Sequence, residues 1–485
     1  MNLSAIDFAI IGGYFAAVLG VGAWANRRIG SFKDFLVAGR VLTAPILVGT
    51  FVATYYGLDV TFGTPETSFA EGISAFFVYA APFYVFYLIL ALWAAPRAIA
   101  TGSSTVPEMM EHYYGPGARL PVAIVTSLYS LPVLSVAGLG VLGHFFLGID
   151  PVIAAIAGGA IAVIYTIMGG LLADAMTDAI QFFIMCITVA IAAAFAISQI
   201  GGYSQIMATL DEDFFRPLGS LSLAQILIYS SIALTPLVDP GLFQRIFAAR
   251  SVADIRLALL LSTGLWIAFD WLVVYFGILG AYLVQSGQIT GDPNPTEIVL
   301  HIVQMVLPAG LLGLFIAGCL ATAMSTIDSY AIIASSAIVY DAMQRFSKKK
   351  LSDRVLLLYT RIGIFLAVAF SIFVAFRFDR IRDAWIVMAS LLMAALLVPM
   401  VAGLAGLGRR SRRAGVWSCW AGLVSAMALI FLFEIWGDYS EGLATRTVEV
   451  AALGTTLIRE QIGLIALPVS IVAYVAGLLL DGGKK

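Results

Sequence analysis

The stretch that decides the fold is residues 313–340, GLFIAGCLATAMSTIDSYAIIASSAIVY. It is long enough to cross a bilayer as a helix, at about 1.5 Å of rise per residue against roughly 30 Å of hydrocarbon. Its middle, residues 322–329, nevertheless carries four hydroxyls and one carboxylate. A lipid-facing helix would leave these groups unpaired at a cost of several kcal/mol each. We therefore expect protein, rather than lipid, around this helix.

Three polar residues of this stretch share one helix face. Ser325, Asp328 and Ser329 are spaced i, i+3 and i+4, and residues with this spacing lie side by side. Acids inside a membrane mark ion or substrate paths, and an all-oxygen face suits a small hard cation such as Na⁺. The alternative is that the hydroxyls bond to their own helix or join neighbouring helices.

The composition indicates a polytopic membrane protein. Of the 485 residues, 61% are hydrophobic and only 12% are charged. The net charge of −2 and the lack of a basic patch give no indication of a nucleic-acid partner. The three cysteines have no closely spaced Cys or His partners, so neither a disulfide framework nor a zinc site is indicated. The first apolar segment lacks a basic leader and a cleavage site, which favours a retained helix over a signal peptide.

Apolar segments predict an all-α fold with about thirteen transmembrane helices. The predicted spans are 5–25, 43–66, 75–96, 119–146, 151–170, 175–199, 222–247, 257–285, 308–340, 355–376, 384–407, 415–436 and 461–480. Placing the 26–40 loop in the cytoplasm puts 21 of the 27 Lys and Arg residues, Arg245 among them, on the inner side. The positive-inside rule then predicts an external N-terminus and a cytoplasmic C-terminus.

Two of the predicted spans are interrupted by helix-breaking residues. The second contains Gly57, Gly63 and Pro65 around Asp59, and the seventh contains Pro236, Pro240 and Gly241 around Asp239. Unwound backbone at membrane depth survives only where it lines a cavity or is buried in protein. Two broken helices five spans apart are typical of inverted repeats around a central binding site. A proline kink without a ligand is the alternative for either helix alone.

Further acids lie in other apolar spans. Asp174, Asp178 and Gln181 form a polar stripe on the sixth span. Asp174 is expected near the inner surface and Asp178 deeper, which makes Asp178 the better candidate for an ion path. Asp270, in LWIAFDWLVVYFG, is another buried acid with no assigned partner.

Three separate motifs resemble those of the sodium:solute symporter family. They are YTIMGGLLA at 165–173 with Thr177, Asp178 and Gln181 following, FQRIFAARS at 243–251, and AMSTIDS at 323–329. The resemblance covers roughly residues 34–413 and implies a LeuT-like core of two inverted five-helix repeats with unwound first and sixth core helices. It divides the chain into an extra helix and loop (1–40), two repeats (41–200 and 201–413) and two C-terminal helices (414–485).

The resemblance also implies binding residues. A Na⁺ site would use backbone carbonyls of Ala53, Tyr56 and Thr322 and the hydroxyls of Ser325 and Thr326. A second Na⁺ site, found in some relatives, would use Asp178, Ser325, Asp328 and Ser329, although relatives have Ser in place of Asp328. The substrate site would include Gly57, Asp59, Val60, Tyr79 and Asp239.

We therefore expect a multi-pass symporter of the cytoplasmic membrane that uses Na⁺ to import a small organic solute through the lipid bilayer. Asp59 and Asp239 favour a cationic or amino-bearing solute, such as an amine, a polyamine or an amino acid. The alternatives are a sodium-coupled sugar or carboxylate symporter and a proton-coupled transporter of the same fold. A membrane channel or sensor is a further alternative, and no residues indicate an enzyme. The sequence does not indicate an oligomeric state.

Overall fold

Helices form nearly the whole of the computed structural model, which describes residues 3–26, 32–200, 203–347, 350–377, 381–407, 411–440, 445–450 and 455–482. Within these residues, twelve helices are long and apolar enough to cross a membrane, and one bent pair makes thirteen spans, as predicted. In chain order, α1 to α13 are Ala5–Asn26, Ala44–Tyr55 with Asp59–Glu71, Ala75–Ala100, Pro116–Leu147, Pro151–Met168, Asp174–Ile200, Gln225–Ala248, Val252–Gln285, Leu311–Met343, Asp353–Ala375, Asp383–Ala405, Arg412–Trp436 and Arg459–Asp481.

Helix α2 is broken where the sequence predicts it. Its two halves meet at an angle of 55°. Tyr56 ends the first half with φ −101° and ψ 79°, outside the helical region. Pro65 lies in the first turn of the helix Thr64–Glu71, where a missing N–H costs nothing. The break therefore leaves backbone carbonyls of the first half without helical partners at the centre of the protein.

Helix α7 is broken as well, by a different local arrangement. A 3₁₀ segment, Ile232–Leu237, contains Pro236, and Val238 then leaves the helical conformation. Asp239 caps the following helix, Pro240–Ala248, by accepting a hydrogen bond from the Leu242 N–H (2.9 Å). The prediction of two unwound core helices is confirmed.

Helix α9 contains the polar stretch and runs through the middle of the protein. It packs against α1, α2, α4, α5, α6 and α10. Nine consecutive residues, from Ala321 to Ser329, are buried, so every face of this part of the helix is covered by protein. The expectation that protein, rather than lipid, surrounds this helix is confirmed.

Helices α5 and α6 are separated by a sharp turn at Gly170, which has φ +56° and ψ −169°. A β-carbon at this position would lie 2.5 Å from the ring of Phe35, so both conformation and space require glycine. Short helices Phe32–Val37 and Val106–Tyr114 lie between the spans. The turn at Gly170 returns the chain through the core, which allows α6 to present Asp174 and Asp178 beside α2 and α9.

A small antiparallel sheet connects α12 to α13, which the sequence analysis did not predict. Its strands are β1 Asp438–Ser440, β2 Thr445–Val450 and β3 Thr455–Ile458, in the order β1-β2-β3. Tyr439 pairs with Arg446, and Val448 pairs with Leu457. The three strands are too short and too polar to be detected in the sequence as a membrane-spanning segment.

The predicted orientation and repeat boundaries remain predictions. Part of the charge asymmetry falls outside the described residues, namely Arg27, Arg28, Lys348, Lys349, Arg380, Arg409, Arg410, Lys484 and Lys485. Arg245, one of the basic residues assigned to the inner side, is fully buried against protein.

Candidate functional site

The first candidate ion site lies where α9 crosses the break in α2. Ser325 Oγ donates to the carbonyl of Ala53 (2.7 Å) and lies 2.9 Å from the carbonyl of Thr322. Thr326 Oγ1 lies 3.3 Å from the carbonyl of Thr54 and 3.1 Å from that of Thr322. Oxygen atoms of two helices therefore converge at one point, and oxygen is the ligand that hard cations prefer.

The predicted ligands are mostly brought together. Ala53, Thr322, Ser325 and Thr326 are joined by hydrogen bonds. Tyr56 lies at the break, but its hydroxyl donates elsewhere, to the carbonyl of Trp266 (3.1 Å). Only its backbone carbonyl, at the helix end, is left for an ion. Thr54 is not among the carbonyls that the family resemblance implies, and a backbone carbonyl gives no signal of its own in the side-chain pattern.

A second polar cluster lies beside the first and contains a buried arginine. The guanidinium of Arg245 donates to Thr50 Oγ1 (3.1 Å) and Thr54 Oγ1 (2.5 Å), and also to Ser329 Oγ. It forms ion pairs with Asp174 (3.2 Å) and Asp178 (3.5 Å). Asp174 is buried and pairs with Arg245, so it is not an exposed interfacial residue, and its depth in the membrane stays a prediction. The cluster joins α2, α6, α7 and α9.

The four residues predicted for a second Na⁺ site do not converge. Asp178 Oδ2 accepts from Thr50 Oγ1 (2.5 Å) within the arginine cluster, where Ser329 also lies. Asp328 instead accepts from Thr166 of α5, and Ser325 belongs to the first site. The helical spacing is correct, but the i+3 position turns Asp328 toward α5.

A cavity with a mainly aromatic wall lies beside the α2 break. Its empty volume is about 770 Å³, including space open to solvent. The charged side chains that line it are Asp59 and Asp270, and no Lys, Arg or His is found among the described residues of its wall. Val60 and Tyr79, both predicted, also line it. The aromatic residues of the wall are Tyr55, Tyr56, Tyr79, Phe83, Tyr84, Tyr87 and Trp385.

Asp59 connects this cavity with the first ion site. It also lines a neighbouring cavity, together with Thr54, Tyr55 and Thr326. A β-carbon on Gly57 would lie 2.2 Å from Asp59 Oδ1 and 3.2 Å from Thr326 Oγ1, so both oxygens face this glycine. The predicted residue Gly57 thus allows an acid to lie close to the ion site.

Asp239 does not line either cavity. Its Oδ2 accepts hydrogen bonds from Tyr129 (2.7 Å) and Tyr330 (3.1 Å), while its Oδ1 caps a helix. Tyr129 and Tyr330 line the neighbouring cavity, with the carboxylate behind them. The structure therefore does not bring Asp239 into the cavity wall with Asp59, because the capping role turns Asp239 toward its own helix.

Asp270 supplies the second acid of the aromatic cavity. It lies near the middle of α8 and accepts a hydrogen bond from Tyr84 (2.5 Å). The sequence predicts that Asp270 is a buried acid, but which side of α8 faces the cavity depends on tertiary packing.

The broken helices, the α2–α9 crossing and the central cavity define a membrane protein of LeuT-like architecture. The chain belongs to the sodium:solute symporter family, whose model matches residues 35–437. The high-affinity proline transporter PutP of Bacillus subtilis is 26% identical over 71% of this chain and 75% of its own length. Mouse solute carrier family 5 member 4B is 26% identical over 76% of this chain and 63% of its own length.

Solved structures show the same fold. A Na⁺-coupled sialic acid symporter in a substrate-bound outward-open state matches with a TM-score of 0.79 at 20% identity, over 99% of this chain and 98% of that one. Mhp1, a nucleobase-cation-symport-1 family transporter, matches with a TM-score of 0.61 at 12% identity over 93% and 95%. At these identities the likeness concerns the fold. The family assignment supports Na⁺ as the coupling ion and a small molecule as cargo in a multi-pass membrane protein.

Proposed function

We propose that this protein uses the inward Na⁺ gradient to import a small organic solute that carries a positive charge or an amino group. The observation that supports this solute class is the wall of the aromatic cavity, where Asp59 and Asp270 stand without a described basic partner. An anionic solute would meet two like charges in a poorly solvated space. At 4 Å and an effective dielectric near 20, each contact would cost about 4 kcal/mol.

The aromatic wall supports the same class of solute. A cation over the face of Tyr or Trp gains about 0.5–2 kcal/mol, depending on how far it is desolvated. Tyr55, Tyr87 and Trp385 all present rings to the cavity. A neutral sugar is the second candidate, because sodium/glucose cotransporters are among the related proteins. Tyrosine hydroxyls could bond to a sugar, but the two carboxylates would contribute no charge attraction to it.

Sodium is proposed to bind between Ala53, Tyr56, Thr322, Ser325 and Thr326. The hydroxyls that donate to carbonyls would rotate and turn their lone pairs to the ion. Because these ligands come from α2 and α9, Na⁺ would favour the conformation in which the two helices are close together. A ligand shifts an equilibrium between two conformations only through its different affinities for them. Binding of Na⁺ between α2 and α9 would in this way couple the ion to the solute.

A single Na⁺ is proposed for each transport cycle. A second ion shared by Asp178 and Ser329 would lie beside the guanidinium of Arg245, which already contacts both residues. At 4 Å and an effective dielectric near 20, that repulsion is about 4 kcal/mol. The guanidinium of Arg245 therefore supplies, as a permanent part of the protein, the positive charge that a second Na⁺ would supply.

The chain is proposed to lie in the cytoplasmic membrane with its N-terminus outside and its C-terminus inside, following the distribution of basic residues. Single cysteines at exposed positions, labelled in whole cells by a maleimide that cannot cross the membrane, test this orientation. A cysteine at Asp292 should react and one at Lys350 should not. The reverse pattern would contradict the proposed orientation.

Thermal melting of the purified protein against ammonium compounds, sugars and carboxylates tests the solute class. Specific binding raises the melting temperature by mass action. We expect stabilisation by ammonium compounds in Na⁺ and a weaker effect in K⁺. Stabilisation by a neutral sugar or an anion, with none by ammonium compounds, would contradict the proposed solute class.

A further inference from the structure

The two acids of the aromatic cavity have different surroundings. Asp59 lies on the unwound segment of α2, and its carboxylate shares the space beside Gly57 with Thr326, a proposed Na⁺ ligand. Asp270 lies on α8, which provides none of the proposed ion ligands. A sodium ion at the α2–α9 crossing would therefore offset the charge of Asp59 more than that of Asp270.

Asp270 is held in place by an aromatic framework. Tyr84 donates to its carboxylate (2.5 Å). One turn earlier on α8, Trp266 is buried and packs against Tyr87 with ring centroids 4.2 Å apart. It also stacks on Tyr56 at 6.2 Å with an interplanar angle of 9°. These ring contacts hold α8 in a fixed orientation relative to α2 and α3. The Asp270 carboxylate therefore lies on a rigid wall, which reduces the entropic cost of ordering a bound ligand.

We propose that Asp270, oriented by Tyr84, binds the positive charge of the solute, whereas the charge of Asp59 is balanced by Na⁺. This inference rests on the proposed function and assigns its two acids to two different ligands. Asp270 then determines which solutes are accepted, and Asp59 determines how strongly Na⁺ is bound.

The assignment narrows the solute class to amines without a carboxylate. An ammonium group at Asp270 is surrounded by Tyr84, Tyr87 and the other rings of the aromatic cavity. A carboxylate on the same small molecule would need a basic partner, and the described wall offers none. An amino acid zwitterion is therefore a poorer ligand than an amine of the same size.

Thermal melting with defined probes tests the assignment on the full-length protein. The probes are benzylammonium, tetramethylammonium, L-proline and glucose, each measured in Na⁺ and in K⁺. The variants are Asp270→Asn, Asp59→Asn and Tyr84→Phe. Asp292→Asn, the same chemical change in the exposed loop after α8, is the control. A single cooperative melting transition without ligands is the check that each variant is folded, and stabilisation by Na⁺ alone, without a probe, reports ion binding.

For Asp270→Asn we expect at least a tenfold loss of affinity for the ammonium probes, with the stabilisation by Na⁺ alone unchanged. Tyr84→Phe should lose affinity by a few fold, because the carboxylate remains but loses its orienting bond. Asp59→Asn should weaken the stabilisation by Na⁺ alone. The control should match the wild type in both measurements.

The inference is overturned if Asp270→Asn binds the ammonium probes within twofold of the wild type. It is also overturned if L-proline binds the wild type as tightly as the ammonium probes do. In both outcomes the proposed import of an amino-bearing solute stands. If no ammonium probe stabilises the wild type while glucose does, the proposed function itself fails.

Discussion

The breaks in α2 and α7 differ in what surrounds their acids. Asp59 lines both central cavities. Asp239 caps its own helix and accepts hydrogen bonds from Tyr129 and Tyr330. An acid at the break of a membrane helix therefore has two physical interpretations, a ligand for cargo or a cap for the helix that follows. Only the direction of the carboxylate distinguishes them, and the comparison predicts loss of ligand binding at one break and loss of stability at the other.

The largest expected effect concerns the buried arginine that follows the α7 break. Arg245→Met would leave Asp174 and Asp178 as unpaired buried charges. Breaking one side of a buried ion pair costs about 3–5 kcal/mol, so we expect a large fall in melting temperature. Arg250→Met, at an exposed arginine just beyond α7, is the matched control and should change stability little. A wild-type melting temperature for Arg245→Met would contradict this role.

The second prediction separates the two acids directly. Asp239→Asn keeps one oxygen that can cap the helix but replaces the oxygen that accepts from Tyr129 and Tyr330, at a cost of about 1–3 kcal/mol. Asp59→Asn removes a charge beside a cavity and should change the stability of the protein without ligands by less. Melting temperatures of the two variants in K⁺ measure this difference. Equal losses of stability would remove the distinction between the two breaks.

The third prediction concerns the ion ligands at the α2 break. Ser325→Ala and Thr326→Ala each remove one hydroxyl ligand, an interaction worth about 1 kcal/mol or a factor of five in affinity. The Na⁺ concentration for half-maximal uptake should rise by about that factor. Ser336→Ala is the matched control, because this buried hydroxyl on α9 bonds only to Ile333 of its own helix among the hydrogen bonds described. An equal shift in the control would assign the effect to helix stability.

The smallest expected effect is the absence of cooperativity. If Arg245 replaces a second cation, the Na⁺ dependence of uptake should have a Hill coefficient near one, and Asp178→Asn should leave it there. A wild-type coefficient near two that falls to one in Asp178→Asn would establish the second site instead.

The sequence predicted the helical spans well, because about twenty apolar residues are needed to cross a bilayer and this constraint is visible residue by residue. The breaks were visible as Pro and Gly. The directions of side chains were not. Asp328 and Asp239 carried the correct chemistry but turned toward Thr166 and the following helix.

Asp270 and Arg245 were harder to place, because their roles depend on long-range packing. Asp270 meets Tyr84 across 186 positions of the chain, and Arg245 meets Asp174 across 71. The spacing of residues within one helix cannot report such contacts. The short sheet between α12 and α13 was missed because the signal used was hydrophobicity, and its strands include Thr445, Arg446 and Glu449.

Uptake by proteoliposomes tests the central claim most directly. The purified protein is reconstituted, and accumulation of radiolabelled benzylammonium is followed with an inward Na⁺ gradient, with K⁺ in place of Na⁺, and with a pH gradient alone. We predict accumulation only with the Na⁺ gradient, and its loss when a Na⁺ ionophore collapses that gradient. Equal uptake in K⁺ without a pH gradient, or uptake driven by the pH gradient alone, would contradict sodium coupling.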